Sequence, residues 1–283
     1  MNDRENCAQA SEEALFFQWL GVGGVRLRWR GKVLLIDPFV TRPSLTEVLF
    51  RPLVPNAELL RQRLPCADAV LITHAHYDHL MDVPEVVRQT GASAYGSKNA
   101  VTLLRAAGVP REKCFLVQSR DRLEIGPFRI EVIEGKHLWL PFFSSKELPE
   151  TASPPRRVWQ YCMDQCFSFL IETDPSFLIW HSIEARGAAP AQVLVLDSEI
   201  PLPAFAELAD LVKPRLVIPI HWDDFFLPLS TPIKPFFRPP ERGALRLRRL
   251  DIVDFARKLR ELIPSGEVLV PQRFEEVNIS RIL

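Results

Sequence analysis

Residues 73–79 read Thr-His-Ala-His-Tyr-Asp-His, directly behind the apolar run Asp68–Ile72. Four metal-competent side chains packed into six residues cannot enter a protein interior uncompensated, because burying unpaired polar groups costs several kcal/mol each. A divalent cation resolves this, since neutral imidazole is the commonest protein ligand for metals and a carboxylate suits a hard cation. The preceding run is short, β-branched and apolar, so it reads as a buried strand that delivers the cluster at its C-terminal end. His74 and His76 are spaced by two, so an extended backbone points them the same way. Asp78 and His79 then turn into a new segment that starts a helix. One loop can thus feed two neighbouring metal positions.

The other three histidines repeat the pattern. His137 follows the strand-like run Phe128–Glu134, His181 follows Phe177–Trp180, and His221 follows Arg215–Ile220. Asp197 ends a further run, Gln192–Leu196. Earlier runs at Leu15–Leu20, Val25–Trp29 and Val33–Asp37 are punctuated by Gly21, Gly23, Gly24 and Gly31, the pattern of a β-meander. Val25, Leu27 and Trp29 alternate with Arg26, Arg28 and Arg30, so that strand has one wet face. Cys166–Glu172 and Glu267–Val270 read as strands. Asn56–Arg63, Pro84–Gln89, Lys98–Ala107 and Asp251–Leu262 read as helices, the last with Asp251 as N-cap and Pro264 beyond its end. This order predicts an α/β fold, a four-layer αββα sandwich of two mixed β-sheets with outer helices. A polar N-terminal tail, residues 1–13, precedes a single domain over 14–283.

Composition narrows the functional classes. Lys+Arg and Asp+Glu number 35 each, so net charge is zero and no broad basic surface is implied. This argues against nucleic acid as partner, with Arg242–Arg249 the one feature favouring a nuclease. Five cysteines, Cys7, Cys66, Cys114, Cys162 and Cys166, suggest no disulfide framework; Cys162 and Cys166 read either as buried thiols or as a second metal or redox pair. The N-terminus lacks an apolar signal core, and no run reaches the roughly 18 apolar residues of a membrane helix, so a cytoplasmic protein is expected.

These features resemble the metallo-β-lactamase superfamily. Besides the H-x-H-x-D-H motif, Phe17-Gln-Trp-Leu-Gly21, Val33-Leu-Leu-Ile-Asp37-Pro-Phe39 and Val217-Ile-Pro-Ile-His221-Trp222 are similar to its opening strands and last ligand strand. The likeness is greatest to metal-dependent hydrolases of the ascorbate-6-phosphate lactonase and N-acyl-phosphatidylethanolamine phospholipase kind. The resemblance implies one metal position made by His74, His76 and His137 and a second by Asp78, His79 and His221. It implies that Asp37 supports the ligand loop. It also implies one or two divalent ions, zinc first, with manganese and iron as alternatives. One departure stands out: the family's metal-bridging aspartate has no counterpart, and Ser182 falls at its position. His181, Ser182, Glu184 or Asp197 as substitute, or a single tightly bound ion, are the open readings.

The expected chemistry is attack by a metal-bound hydroxide on an ester, lactone or phosphodiester, with Asp78 and His181 as catalytic groups. Two Pro- and aromatic-rich loops, Leu138–Arg157 and Phe225–Pro240, follow ligand positions. From them and their flanks, Trp139, Phe142, Phe143, Arg156, Arg157, Trp222, Phe225 and Phe226 are the expected substrate pocket, suited to a small, lipid-like or phosphorylated molecule. A nuclease and a non-catalytic metal-binding protein are the alternatives. Exposed apolar loops also leave a homo-oligomer contact open.

Overall fold

The computed structural model describes residues 13–138, 145–238 and 248–283. The chain first lays down β1 (Phe16–Gly21), β2 (Gly24–Trp29), β3 (Lys32–Ile36), β4 (Ala69–Leu71), β5 (Ser93–Gly96) and β6 (Cys114–Leu116). It then forms β7 (Arg122–Ile125), β8 (Phe128–Gly135), β9 (Cys166–Glu172), β10 (Phe177–Trp180), β11 (Val193–Asp197) and β12 (Leu216–Ile220). A small ribbon, β13 (Phe237–Arg238) with β14 (Arg248–Arg249), precedes β15 (Glu267–Val268) and β16 (Glu276–Asn278).

Two mixed seven-stranded sheets result, ordered β16-β1-β2-β3-β4-β5-β6 and β15-β12-β11-β10-β9-β8-β7. Each joins an antiparallel half to a parallel half: β3, β4, β5 and β6 run parallel in the first, and β10, β11, β12 and β15 in the second. The fold is thus the expected α/β sandwich.

Side-chain alternation explains how the layers stack. On β3, Leu34 and Ile36 enter the core between the sheets, while Val33 and Leu35 face the opposite side. Ala69 and Leu71 of β4 share the inner side, and Val70 and Ile72 the outer. Phe17, Trp19, Phe167, Phe169 and Trp180 fill the inner core, all fully buried. The helices are α1 (Leu45–Phe50), α2 (Ala57–Arg63), α3 (Tyr77–Leu80), α4 (Val83–Thr90), α5 (Lys98–Ala106), α6 (Leu202–Val212) and α7 (Ile252–Leu262). Leu60, Val86 and Leu104 of α2, α4 and α5 cover the outer face of the first sheet. Phe205, Leu208, Phe255 and Leu259 of α6 and α7 join the cluster of the second. Asp251 caps α7 as its sequence position implies, accepting hydrogen bonds from the N–H groups of Val253 and Asp254.

This topology gathers strand ends. β1 and β3 run the same way across β2, so the Gly21–Gly24 turn and Asp37 emerge at one edge beside the loop after β4. β8 and β10 run the same way across β9, and β11 and β12 are parallel to β10. His137, His181, Asp197 and His221 therefore leave the second sheet at a common edge. The Phe167 N–H donates to the Thr73 carbonyl at 2.8 Å, which pins the histidine loop of the first sheet to the second.

The described residues contain no helix long and apolar enough to cross a membrane. Cys162 and Cys166 are buried, and their thiols donate to the carbonyls of Trp159 and His181. Cys66 is disulfide-bonded.

Candidate metal centre

Among the described residues, three groups of side chains place ligand atoms within 4.8 Å of one another: His74, His76 and His137; Asp78, His79 and His221; and Asp37, His79 and His181. The ring of His74 lies 4.6 Å from that of His76 and 4.5 Å from that of His137, centroid to centroid. In the second group, Asp78 Oδ2 stands 3.5 Å from His79 Nε2 and 3.6 Å from His221 Nε2. The first two groups are the sets that the family resemblance implies.

Hydrogen bonds to the far ring nitrogen fix the orientation of four imidazoles. His79 Nδ1–H donates to Asp37 Oδ2 at 2.7 Å. The Thr73 hydroxyl donates to the same carboxylate, so it accepts from His74 Nδ1–H at 3.0 Å. The Thr73 N–H occupies Asp37 Oδ1 at 2.8 Å. His137 Nδ1–H donates to the Leu138 carbonyl at 2.6 Å, and His181 Nδ1–H to Asp197 Oδ2 at 3.1 Å. Each bond leaves Nε2 as the free lone pair. For His74 and His181 that Nε2 is buried and has no hydrogen-bond partner. Orphaned buried acceptors are rare. A divalent cation satisfies them, so the donor set fits one.

The charge balance agrees. Burial, with the neighbouring imidazoles, drives His74 well below its ordinary pKa, His76 to about 3, and His137 down as well, so all three are neutral. Burial opposes protonation of His79 and His221 too. For His79 this is outweighed by Asp37 and Asp78, and for His221 by Asp197, Asp78 and Glu199, so both are raised. Burial would raise Asp78, but His79 and His221 hold it below the usual carboxylate range.

Backbone strain surrounds the centre. Val22, Asp37, Arg42 and His221 all have left-handed backbone, with φ of 50°, 45°, 48° and 58°. Such residues cost about 1–3 kcal/mol each and cluster at functional sites. Asp37 turns the chain at the end of β3 so that its carboxylate faces the next loop. Gly23 lies against the imidazoles: a Cβ there would stand 2.8 Å from His79 Cε1 and 3.0 Å from His181 Cε1. The turn glycines were legible as a turn, but this close approach was not.

The remaining expected residues separate. Of the four bridge substitutes, His181 and Asp197 face the cluster as a hydrogen-bonded pair. The Ser182 hydroxyl instead accepts from the N–H groups of Lys136 and Glu184, and Glu184 pairs with Lys136 at the surface. Phe225 stacks beside the site, 6.1 Å from the His221 ring and 4.6 and 4.7 Å from Phe226 and Phe236. Trp222 is a core residue, stacked on Trp19 at 5.0 Å. Arg156 edges a groove of about 600 Å³ lined by Leu53, Leu80, Met81 and Tyr161 and by no histidine. The Arg157 guanidinium lies 5.8 Å from the ring centre of the exposed Trp159. Trp139, Phe142, Phe143 and Arg242–Leu247 lie outside the described residues.

Two features carried no sequence signal. Arg42 and Asp223 form a buried pair at 2.6 Å behind His221. Glu199, two residues past Asp197, is a carboxyl that burial and Asp197 raise to about 7.

The model of the Beta-lactamase superfamily domain matches residues 32–222. A UPF0173 metal-dependent hydrolase of Polynucleobacter asymbioticus is 26% identical over 233 residues, covering 76% of each chain. Another from Cupriavidus necator is 29% identical over 226 residues, covering 72% of each. Among solved structures, Igni18, a metallo hydrolase from Ignicoccus hospitalis, superposes with a TM-score of 0.60 at 18% identity, over 93% of this chain and 97% of its own. The matched span runs from β3 through the His221 turn and so takes in every side chain of the three groups. On that span, and on a fold that gathers those side chains at one edge, the chain belongs to the β-lactamase superfamily.

Proposed function

We propose that this chain hydrolyses an ester, lactone or phosphodiester bond in a small substrate with an apolar part. The chain is a metal-dependent hydrolase, in keeping with its family and its named relatives. One observation carries the reading: His74, His79 and His137, each with Nδ1 tied down, converge with His76, Asp78 and His221 in two sets whose ligand atoms lie within 4.8 Å of one another. His74, His76 and His137 would hold one ion, and Asp78, His79 and His221 another. The predominance of imidazole favours zinc. A bound divalent ion supplies a nucleophile of hydroxide strength at neutral pH and polarises the attacked oxygen.

The protein's own groups do the rest. Asp37 fixes the tautomers of His79 directly and of His74 through Thr73. Asp78, kept ionised, is placed to accept a hydrogen bond from the attacking water. Phe225, with Phe226 and Phe236 behind it, offers an apolar wall next to His221 for an acyl or aryl group and excludes water from that side.

Two results are expected. Asp37→Asn removes the carboxylate that orients two imidazoles, and metal affinity falls by about 10–100-fold, the range for partners of metal-bound histidines; chelator competition measures it. Metal uptake is also asymmetric in protons. Ligands must be deprotonated to bind. His79 and His221 sit above the ordinary imidazole range, so loading their position near pH 7 releases protons, and its affinity climbs with pH. His74, His76 and His137 are already neutral, so their position loads with little pH dependence above about pH 6.5. Titration calorimetry in buffers of different ionisation enthalpy separates the two.

The substrate class is tested with aryl esters of increasing acyl length, a lactone series and an aryl phosphodiester. Catalytic efficiency that grows with chain length, and falls selectively for the longer esters in Phe225→Ala, is the expected result. Equal rates across the ester series would remove the apolar wall from the reading.

A further inference from the structure

His181 is the imidazole that the two metal positions leave over. It is buried just past the C-terminal end of β10, a central strand, and its backbone N–H is fixed by the Ser168 hydroxyl at 3.0 Å. Its Nδ1–H is held by Asp197, from the parallel neighbour β11, at 3.1 Å. Its Nε2 stands 3.9 Å from Asp37 Oδ2, too long for a hydrogen bond, and that oxygen is already engaged by His79 and Thr73. So Nε2 is a buried acceptor without a partner. The ring lies 5.4 Å from His79 and 6.3 Å from His221, and it shares the third ligand group with His79. Gly23 is what permits this proximity, because any Cβ there would push into both rings.

A carboxylate on one ring nitrogen with the other left free is how proteins orient a metal-bound histidine. Asp37 stands to His79 as Asp197 stands to His181. We propose that His181 Nε2 is the fourth protein ligand of the position held by Asp78, His79 and His221, with Asp197 as its positioning residue. This rests on the metal-hydrolase reading and adds a division of labour to it. Three imidazoles and one carboxylate make a closed, four-ligand position of the kind that holds zinc structurally. His74, His76 and His137 make a three-ligand position with room for water, the arrangement of a catalytic ion. Of the residues expected to stand in for a missing bridging carboxylate, His181 and Asp197 then act together, one as ligand and one behind it. They close one position instead of linking two.

The test is zinc stoichiometry and affinity, by elemental analysis and by titration with a chromophoric chelator, on the full chain. The wild type is expected to bind two zinc ions, one of which resists a chelator that removes the other. His181→Ala is expected to lose the resistant ion and keep the exchangeable one. Asp197→Asn, which preserves size and hydrogen bonding, is expected to keep both ions with the resistant one weakened by about 10–100-fold. It also carries the test should His181→Ala fail to fold, as judged by circular dichroism. Unchanged stoichiometry and affinity in a folded His181→Ala, or an unchanged resistant ion in Asp197→Asn, would overturn the assignment and leave the hydrolase reading standing. A wild type that binds no zinc would overturn both.

Discussion

Replacing His74 and His76 together by alanine leaves a folded protein that no longer holds the exchangeable ion and hydrolyses its substrate at least about 10³-fold more slowly. The magnitude follows from the several kcal/mol of transition-state stabilisation that a metal ion supplies, at one decade in rate for each 1.36 kcal/mol. Folding survives because the two rings sit in a loop beyond β4, while the core is built by the strands behind them. Two buried histidines held neutral by desolvation are also groups whose loss removes a folding cost at low pH. The sign is definite: a depressed imidazole pKa means the unfolded chain binds more protons than the folded one between about pH 3 and 6.5, so these residues destabilise the metal-free fold as pH falls through that window. The double variant should therefore match or exceed the metal-free wild type in thermal stability at pH 5. Elemental analysis, steady-state rates and calorimetric melting check the three parts.

A second large effect is expected away from any ligand. Arg42 and Asp223 are both almost wholly inaccessible, paired at 2.6 Å. The other oxygen of Asp223 accepts the Val22 N–H at 2.8 Å, and the Val22 carbonyl accepts the His221 N–H at 2.9 Å. The same carbonyl accepts the Trp19 indole N–H. The pair thus clamps the Gly21–Gly24 turn to the turn that carries His221. Gly21 must be glycine here, with φ of 99° and an added Cβ only 1.8 Å from Arg42 Nη2. Arg42→Leu strands a buried carboxylate, which costs about 3–5 kcal/mol. For a chain of this size that lowers the melting temperature by on the order of 10 °C. His221 loses its anchor as well, so the Asp78–His79–His221 position should weaken in the same variant. Replacing both partners, Arg42→Leu with Asp223→Leu, should recover much of the stability and none of the metal affinity. Melting and zinc titration of the single and double variants decide it; a single variant within about 1 kcal/mol of wild type would mean that solvent reaches the pair.

The legible parts were those whose cause is local. Cys166–Glu172 and Phe177–Trp180 form strands with the bounds that periodicity implies, and Val25, Leu27 and Trp29 face the core as their alternation with arginine requires. The 74–79 cluster was legible because its candidate ligands are contiguous, and His137 and His221 because each follows an apolar run. β16 was not, since Glu276–Asn278 is a polar triplet that becomes a strand only by pairing with β1, some 260 residues earlier. Nor was α6, although Phe205, Leu208, Ala209 and Val212 hold a helical stripe and its prolines stand at the start of the helix, where proline is well accommodated. At the site, the pairing of His181 with Asp197, the Arg42–Asp223 clamp and the fit of Gly23 against two imidazoles depend on contacts between distant segments. Single-sequence patterns carry no trace of such contacts. Trp222, the aromatic next to His221, stacks on Trp19 in the core, a contact between distant segments of the same kind.

The most direct test of metal-dependent hydrolysis is a cycle of removal and return on one sample. Ester turnover is followed in the purified protein, after exhaustive chelation, and after zinc is restored to measured stoichiometry. The account predicts loss of turnover with the exchangeable ion and its recovery in proportion to zinc bound at the three-imidazole position. Turnover that persists in protein shown by elemental analysis to be metal-free would contradict it.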